Sequence, residues 1–446
     1  MKFRFSLRAA CALVVLCACD DDITAPPPLD ASSETPVVDA GSATPVDAGS
    51  VVVDSGTPVT PVDAGVVLDA GPSVAPLYVG SSRVFDPSGS GSNGYLYAFG
   101  SLAKGTSVSL TNALEIEDAW VFGDAKPYFF TAGIFTPTLQ RWTVSPTGAF
   151  TPGPILDLAT RGVKGAYAAA NAGVLSPTKS YYVDSPSLQV VVWNPQDMSF
   201  IKTIPIDVPT KTGLTGNLDP NIIFRGDKAF VTAYWNSIPS GLTEYGDAGR
   251  LYAIDIATDA VVSATDVAST GTLGLGGTTS DGTIYYSPWD YHAAVRGVFG
   301  APYGVASRAV RVKAGSLTAD PVDIDLSALV GGRPAGDLVL LSDTQALIHV
   351  WHNDLVNATP DNWKDKRFEP GYKWHRWTIG EATAPELPNQ QPSTEGGGWK
   401  GFDGKTVSYM PDSEYENTTL VELLADGNTT ELLTVPGWTT NFVRAY

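Results

Sequence analysis

The sequence predicts an all-β fold, a β-propeller with seven blades favoured over six or eight, which follows a disordered tether. One short phrase recurs six times between residues 122 and 411: an apolar residue, a turn of small or polar residues, then an aromatic and β-branched run. The copies recur at blade length, which is typical of propellers. No stretch longer than about ten residues carries the 3.6-residue apolar period of a helix.

The repeated phrase predicts one tight hairpin per blade, made of the inner strand A and its neighbour, strand B. Counted from the fifth residue of each copy, the intervals are 53, 49, 55, 62 and 60 residues. The six copies occupy 122–130, 175–183, 224–232, 279–287, 341–349 and 401–409.

The plan of a whole blade is clearest between residues 222 and 267. Strands A to D are expected there at 222–224, 229–235, 250–255 and 261–267. The same plan fits 118–158, 172–208 and 397–438, whereas the first blade, 77–112, is irregular. Blades five and six have long B–C loops, at 290–306 and 353–371, and a lone final strand at 439–446 is expected to close the ring against 77–86.

The chain begins with a predicted lipoprotein signal peptide, residues 1–19. Three basic residues precede a short apolar core, and Leu16-Cys-Ala-Cys19 resembles the bacterial lipobox, in which Cys19 receives the lipid. The apolar core is too short to span about 30 Å of hydrocarbon. Residues 20–76 repeat the phrase Val/Leu-Asp-Ala-Gly four times without Lys, Arg or aromatic residues, and predict a disordered tether. The propeller domain is then 77–446.

Composition excludes several classes of function. All three cysteines, at 11, 17 and 19, precede the tether, so the domain has no disulfide, thiol nucleophile or thiolate metal site. From residue 77 onward 25 basic residues face 37 acidic ones. Nucleic acid and anionic membrane surfaces are poor partners for such a chain, and an anionic ligand needs a local basic cluster.

Catalytic and metal-binding motifs are scarce. The sequence has no Gly-x-Ser-x-Gly, His-Glu-x-x-His or Gly-x-x-x-x-Gly-Lys phrase. His349 and His352 are three apart on a predicted strand, which points them to opposite faces and disfavours a shared metal ion. Asx-turn chemistry explains the Asp-rich turns better than calcium does. We therefore expect no catalytic residues, no metal and no cofactor, and we interpret the chain as a binding protein, not an enzyme.

Aromatic and basic residues gather where strand B ends in blades four to six. The B–C and D–A loops of a propeller share one face around the central channel, so these residues are expected to converge on a ligand-binding face. Packing between blades is the alternative for any single tryptophan. The candidate ligand-binding residues are Trp235, Trp289, Tyr291, His292, Arg296, Trp351, His352, Lys373 and Arg376.

A family resemblance follows from the lipobox, the tether and two repeat phrases, Gly246-Asp-Ala-Gly-Arg-Leu-Tyr-Ala-Ile-Asp255 and the run 191–204. Together they resemble bacterial β-propeller lipoproteins associated with siderophore uptake, of a myxobacterial type. The resemblance implies a lipid-anchored cell-envelope protein, at the outer membrane and either periplasmic or surface-exposed, that captures a ferric catecholate siderophore for iron uptake. A TonB-dependent outer-membrane receptor is then a further partner. Tryptophan and tyrosine can stack on catechol rings, and basic groups answer the negative charge.

Two other functions remain open from the sequence. A cell-surface scaffold would bind protein partners through the same face, and a broad apolar patch there would favour it. A propeller hydrolase or lyase would need convergent carboxylates or histidines at the channel, which no local motif reveals. A quinoprotein is disfavoured because the regular tryptophan-docking repeat is missing.

Overall fold

The structure, a computed structural model, describes residues 75–446 apart from short gaps. The gaps are 86–91, 118, 126–127, 134–135, 164–172, 238–243, 247, 269, 301–302, 304–305, 321–322, 396–398, 413–414 and 440. The predicted signal peptide, with Cys19, and the tether up to residue 74 lie outside the described residues. Seven sheets form the seven blades of a β-propeller, which confirms the fold class and the favoured blade number.

Each blade runs from strand A at the channel to strand D at the rim. The strands of the first three blades, in chain order, are β1 (Tyr78–Phe85), β2 (Ser92–Phe99), β3 (Thr106–Ser107), β4 (Leu114–Ile116), β5 (Ala119–Ala125), β6 (Tyr128–Gly133), β7 (Thr138–Val144), β8 (Phe150–Asp157), β9 (Gly173–Ser176), β10 (Lys179–Asp184), β11 (Gln189–Asn194) and β12 (Ser199–Pro205). Strand β3 leaves blade 1 and pairs in parallel with the outer edge of blade 7.

Blades 4 and 5 comprise β13 (Thr215–Leu218), β14 (Ile223–Arg225), β15 (Lys228–Ser237), β16 (Glu244–Tyr245), β17 (Ala248–Asp255), β18 (Ala260–Ala268), β19 (Gly274–Thr278), β20 (Ile284–Ser287), β21 (Arg308–Val312) and β22 (Asp323–Asp325). Blades 6 and 7 comprise β23 (Ala335–Leu340), β24 (Gln345–Trp351), β25 (Tyr372–Thr378), β26 (Trp399–Phe402), β27 (Lys405–Pro411), β28 (Asn417–Leu423) and β29 (Thr429–Pro436). The rim of blade 6 is irregular and joins β25 through the bridges His375↔Glu386 and Tyr372↔Ser393.

The last strand, β30 (Phe442–Arg444), closes the ring as strand A of blade 1. It pairs antiparallel with β1, with Val79 opposite Val443, so the predicted closure is confirmed. The arrangement also explains why the hairpin phrase occurs six times in a seven-bladed ring. The A–B pair of blade 1 is assembled from the two ends of the domain, and no continuous phrase can encode it.

The core lies between neighbouring blades. Trp193 is fully buried between blades 2 and 3, and its ring meets Phe130 edge to face at 5.0 Å. Alternate residues of each B and C strand point into such interfaces, because side chains alternate across a sheet. The A strands are left to line the channel.

The long B–C loops carry helices that the sequence did not predict. Helix α1 (Asp290–Phe299) fills the loop of blade 5, where the sequence predicts only a loop. Its Ala293 and Ala294 are buried against Trp351, and Gly297 leaves room for the same indole, since a Cβ there would overlap the ring. Tertiary packing of this small-residue face stabilises a helix too short to be evident from periodicity.

Three shorter helices complete the fold, namely α2 (Leu326–Leu329), α3 (Asn353–Val356) and α4 (Trp363–Lys366), with a 3-10 turn at Ala159–Arg161. Helices α3 and α4 occupy the long loop of blade 6. No helix in the described part of the chain has the length and apolar character needed to span a bilayer.

Candidate active site

An aspartate, a histidine and a serine from three separate segments meet in a hydrogen-bonded row at blades 5 and 6. Asp290 Oδ2 lies 3.0 Å from His349 Nδ1, and His349 Nε2 lies 2.7 Å from Ser393 Oγ. Asp290 begins helix α1 after strand B of blade 5, His349 lies on strand B of blade 6, and Ser393 lies on the irregular rim segment of blade 6. We call these three residues the triad.

The histidine of the triad is held in place by its neighbours. Its ring is stacked on Trp374 at 4.1 Å and on Tyr372 at 4.5 Å between centroids, and it is fully buried. Because a carboxylate oxygen accepts hydrogen bonds, Nδ1 carries the proton toward Asp290 and Nε2 is left to accept from the serine hydroxyl. This is the tautomer that a general base requires.

The aspartate of the triad is fixed by backbone contacts across the blade 5–blade 6 junction. Its backbone N–H donates to Asp337 Oδ1 at 3.0 Å, and its own Oδ1 accepts from the Tyr291 N–H at 2.7 Å. Two backbone segments approach each other closely here, because a Cβ on Gly336 would come within 2.6 Å of the Trp289 carbonyl oxygen. Glycine at 336 therefore allows blade 6 to support the start of α1.

Three further carboxyl groups surround the triad, and burial raises the pKa of each. Burial raises the pKa of Asp219 to about 6, against hydrogen bonds from Asn221 that lower it. Burial raises the pKa of Glu395 to about 8, with the Asp290 charge adding and Arg367 opposing. The pKa of Asp337 lies well above its ordinary range because of burial and the Asp290 charge. At neutral pH Glu395 therefore keeps its proton, whereas Asp219 is mostly ionised.

The Arg367 guanidinium lies beside the Glu395 carboxyl and among several aromatic rings. The Arg367 guanidinium lies 4.8 Å from the Tyr291 ring centroid and 4.4 Å from that of Phe368, and its Nε is 3.6 Å from Glu395 Oε2. The Tyr291 ring also contacts Trp363 of helix α4 at 6.0 Å. Arg367 and Trp363 were missed by the sequence analysis, although they lie in the long loop that it singled out.

A second group of titratable side chains lies farther out on blade 6. His352, His375 and Glu386 each place one ligand-type atom within 4.8 Å of the others. Burial lowers the pKa of His352 to about 4 and also lowers the pKa of His375, so both imidazoles are neutral at pH 7. His349 and His352 belong to different groups, as the alternation of side chains along a strand predicts.

Part of the predicted binding face comes together around helix α1. The rings of Trp289 and His292 stack at 6.0 Å, and Tyr291 meets His292 edge to face at 5.5 Å. His292 is 1% exposed, and burial lowers its pKa to about 3. Arg296 lies half-buried on the same helix.

The remaining predicted residues are distributed over three other places. Trp235 is 1% exposed, donates to the Pro209 carbonyl at 2.7 Å and lies under the Lys211 ammonium. Trp351 is equally buried, against helix α1. His352 and Lys373 belong to the outer group of blade 6, where Lys373 pairs with Glu386 at 2.7 Å. Arg376 reaches blade 7 and donates to the Ala425 carbonyl.

Two open clefts in the described part of the chain are lined by residues other than the triad. A cleft of about 470 Å³ is lined by the A–B turns of blades 5 and 6, with Asp281 and Asp343, and by Arg311. These turns belong to the face opposite the B–C loops. Arg311 already pairs with Asp320 at 2.6 Å, so we assign the cleft no chemistry.

Comparisons with known proteins identify the fold and leave the family unassigned. No protein-family model matches the chain, and no curated protein matches it. Among solved structures, it resembles a candidate 6-phosphogluconolactonase from Bacteroides fragilis, with 12% identity, 83% of this chain and 98% of the other covered, and a TM-score of 0.47. It also resembles a periplasmic gluconolactonase from Pseudomonas aeruginosa, with 12% identity, coverage of 82% and 99%, and a TM-score of 0.49.

The expectation that the chain is not an enzyme is wrong. The finding against that expectation is that two of the solved propellers that it resembles are named as lactonases. At 12% identity the likeness concerns the fold alone, and it does not extend to a substrate. Evidence for catalysis by this chain therefore rests on the arrangement of its own side chains.

Proposed function

We propose that this chain is a hydrolase of carboxylic esters or lactones, with Ser393 as nucleophile, His349 as general base and Asp290 as the group that orients the histidine. The observation that supports it is the hydrogen-bonded row of 3.0 Å and 2.7 Å from carboxylate to imidazole to hydroxyl. Nucleophile and base within hydrogen-bond reach, with the base held by a third group, is the arrangement that activates a serine.

The reaction follows from the positions of the protons. Ser393 Oγ forms a bond to the acyl carbon while its proton passes to His349 Nε2, and the imidazolium is stabilised by Asp290. The bond from acyl carbon to leaving oxygen then breaks, and that oxygen takes the proton from Nε2. Water attacks the acyl-serine in the same way, gives one proton through His349 back to Ser393 Oγ, and releases the acid. In sum, one ester and one water give one acid and one alcohol.

The surroundings of the triad suit this chemistry. Trp374 and Tyr372 prevent the imidazole from rotating, so the base keeps its direction toward Ser393. Glu395, which is protonated at neutral pH, does not compete with Asp290 as a charged acceptor for Nδ1. Arg367 adds positive charge to this group of acids, with its Nε 3.6 Å from Glu395 Oε2.

The test is hydrolysis of p-nitrophenyl acetate and of a simple lactone by the purified full-length chain. Ser393→Ala and Asp290→Asn should each lower kcat/KM at least about a hundredfold, since loss of a triad member costs orders of magnitude in rate. Ser307→Ala is the matched control, because Ser307 is also a buried serine at the blade 5–blade 6 junction and its Oγ accepts from the Ala335 N–H. No hydrolysis above background, or equal rates for Ser393→Ala and wild type, contradicts the proposal.

Capture of a ferric catecholate siderophore is the second candidate. The observation that favours it is the combination of Arg367 with the aromatic rings of Tyr291 and Trp363 on the B–C face. A cation among aromatic rings suits an anionic ligand with flat catechol rings. Titration with a ferric catecholate should quench tryptophan fluorescence saturably in wild type and less strongly in Arg367→Ala. No saturable quenching at micromolar ligand counts against this candidate.

A lipid anchor on Cys19 is proposed as well. Its support is the sequence Leu16-Cys-Ala-Cys19 after a short apolar core, followed by a tether rich in Pro, Ala and Asp. The chain expressed in a bacterium fed with labelled palmitate should carry label in the membrane fraction, and Cys19→Ser should lose both label and membrane association. Equal labelling of wild type and variant contradicts the anchor.

A further inference from the structure

We propose that His352, His375 and Glu386 form a binding site for a first-row divalent metal ion of the Zn²⁺ class, separate from the triad. Their ligand atoms all lie within 4.8 Å of one another. The three residues come from the end of strand B, from strand C and from the rim segment of blade 6. The sheet itself therefore brings the donors together.

The histidines present free lone pairs. His375 Nδ1 lies 2.8 Å from the Ala384 carbonyl oxygen, which can only accept, so Nδ1 carries the proton and Nε2 the lone pair. Nε2 of His375 and Nε2 of His352 are both buried without a hydrogen-bond partner, in side chains that are 7% and 5% exposed. A buried polar atom left without a partner destabilises the fold, and a bound cation would supply the missing partner for both.

The outer contacts resemble those that orient metal ligands. A backbone carbonyl that accepts from the far nitrogen fixes the ring of a ligating histidine, as Ala384 does for His375. The basic neighbours each have an acidic partner: Arg333 pairs with Asp354 at 2.8 Å, and Lys373 pairs with Oε1 of Glu386 at 2.7 Å, which leaves Oε2 to face an ion.

The donor set indicates which metal it suits. Two imidazoles and one carboxylate are a common set for Zn²⁺ and related ions, and three protein ligands leave a position for water. Glu386 has a side chain that is 42% exposed, so the ion can enter from its side. One carboxylate is too few for Ca²⁺, which takes six to eight oxygen ligands, and imidazole nitrogens suit neither Ca²⁺ nor Mg²⁺.

The experiment is a Zn²⁺ titration of the metal-stripped, tag-free full-length chain with its cysteines alkylated, so that Cys11, Cys17 and Cys19 cannot bind. We expect one ion per chain in wild type and an affinity at least about tenfold lower in His352→Gln, His375→Gln and Glu386→Gln. Glu381→Gln is the matched control, because Glu381 is an exposed glutamate of the same blade, and it should bind as wild type does.

A second measurement keeps the proposal testable if the histidine variants fail to fold. X-ray absorption of Zn²⁺-loaded wild type should show two imidazole nitrogens at about 2.0 Å. Absence of saturable binding, a spectrum without imidazole scattering, or unchanged affinity in a folded His375→Gln variant overturns the site. Ester hydrolysis by the triad is measured separately, so the failure of one proposal leaves the other unaffected.

Discussion

Replacing Glu395 with glutamine should abolish a specific loss of stability between pH 6.5 and 8. The pKa of Glu395 in the folded chain is about 8, against an ordinary value of 4.5, because the carboxyl is buried. Between these values the folded chain keeps a proton that the unfolded chain has lost. Stability therefore falls as pH rises through this window and levels off once the folded carboxyl ionises above pH 8.

The size of the effect follows from the two pKa values. From pH 6.5 to 8 the folded carboxyl goes from almost fully protonated to half protonated, which costs about 1.6 kcal/mol of unfolding free energy. With an unfolding entropy of about 2.1 cal/mol/K per residue over roughly 370 residues, that loss corresponds to about 2 °C in Tm. Glutamine keeps the shape and does not titrate.

The assay is Tm by calorimetry at half-unit steps of pH for wild type, Glu395→Gln and the exposed control Glu381→Gln. Titrating groups that do not interact with Glu395, including His292 and Asp219, contribute equally to all three chains and cancel in the difference. Wild type and Glu381→Gln should lose about 2 °C relative to Glu395→Gln between pH 6.5 and 8. Parallel curves for wild type and Glu395→Gln would refute the buried, protonated state of this carboxyl.

Three further predictions concern the propeller itself. Trp193→Ala removes a fully buried indole that packs on Phe130 and should cost about 3–5 kcal/mol, measured by denaturant unfolding; a loss below about 1 kcal/mol contradicts its place in the core. Gly173→Ala places a Cβ in the ring of Phe224, so Tm should fall, and Phe224→Ala in the same chain should restore part of it. Deleting residues 440–446 removes β30 and opens the ring, so amide exchange should rise in β1; unchanged protection there contradicts the closure.

The propeller was predictable from the sequence because each blade carries a local signal that repeats along the chain. Each hairpin phrase encodes one A–B pair with its own turn, and the intervals between copies give the blade size. Blade 1 appeared irregular from sequence because its strand A lies more than 300 residues from its strand B, at Phe442–Arg444. Helix α1 was missed since its stability comes from contact with Trp351, which sequence periodicity does not register.

The triad was not predictable from any single stretch of sequence. Asp290 and His349 are 59 residues apart, and His349 and Ser393 are 44 apart, so no motif contains two of them. The predicted binding residues lie on blades 4 to 6, and two of them, Trp289 and Tyr291, flank Asp290 of the triad. The predicted site residues are aromatic or basic, and the buried acids are not among them. One usable signal was that Asp290 and His349 occupy similar places in neighbouring blades. Asp290 follows strand B of blade 5, and His349 lies near the end of strand B of blade 6.

The most direct test of the central claim is covalent labelling of the serine. A fluorophosphonate reacts with a serine only when a neighbouring base makes its hydroxyl nucleophilic, so the mapped adduct reports the state of Ser393 without a known substrate. After treatment of the full-length chain, mass spectrometry of its peptides should place one adduct on Ser393, and Asp290→Asn should lower the labelling rate. An unlabelled Ser393 in a folded chain, or a rate that Asp290→Asn leaves unchanged, would contradict an activated triad.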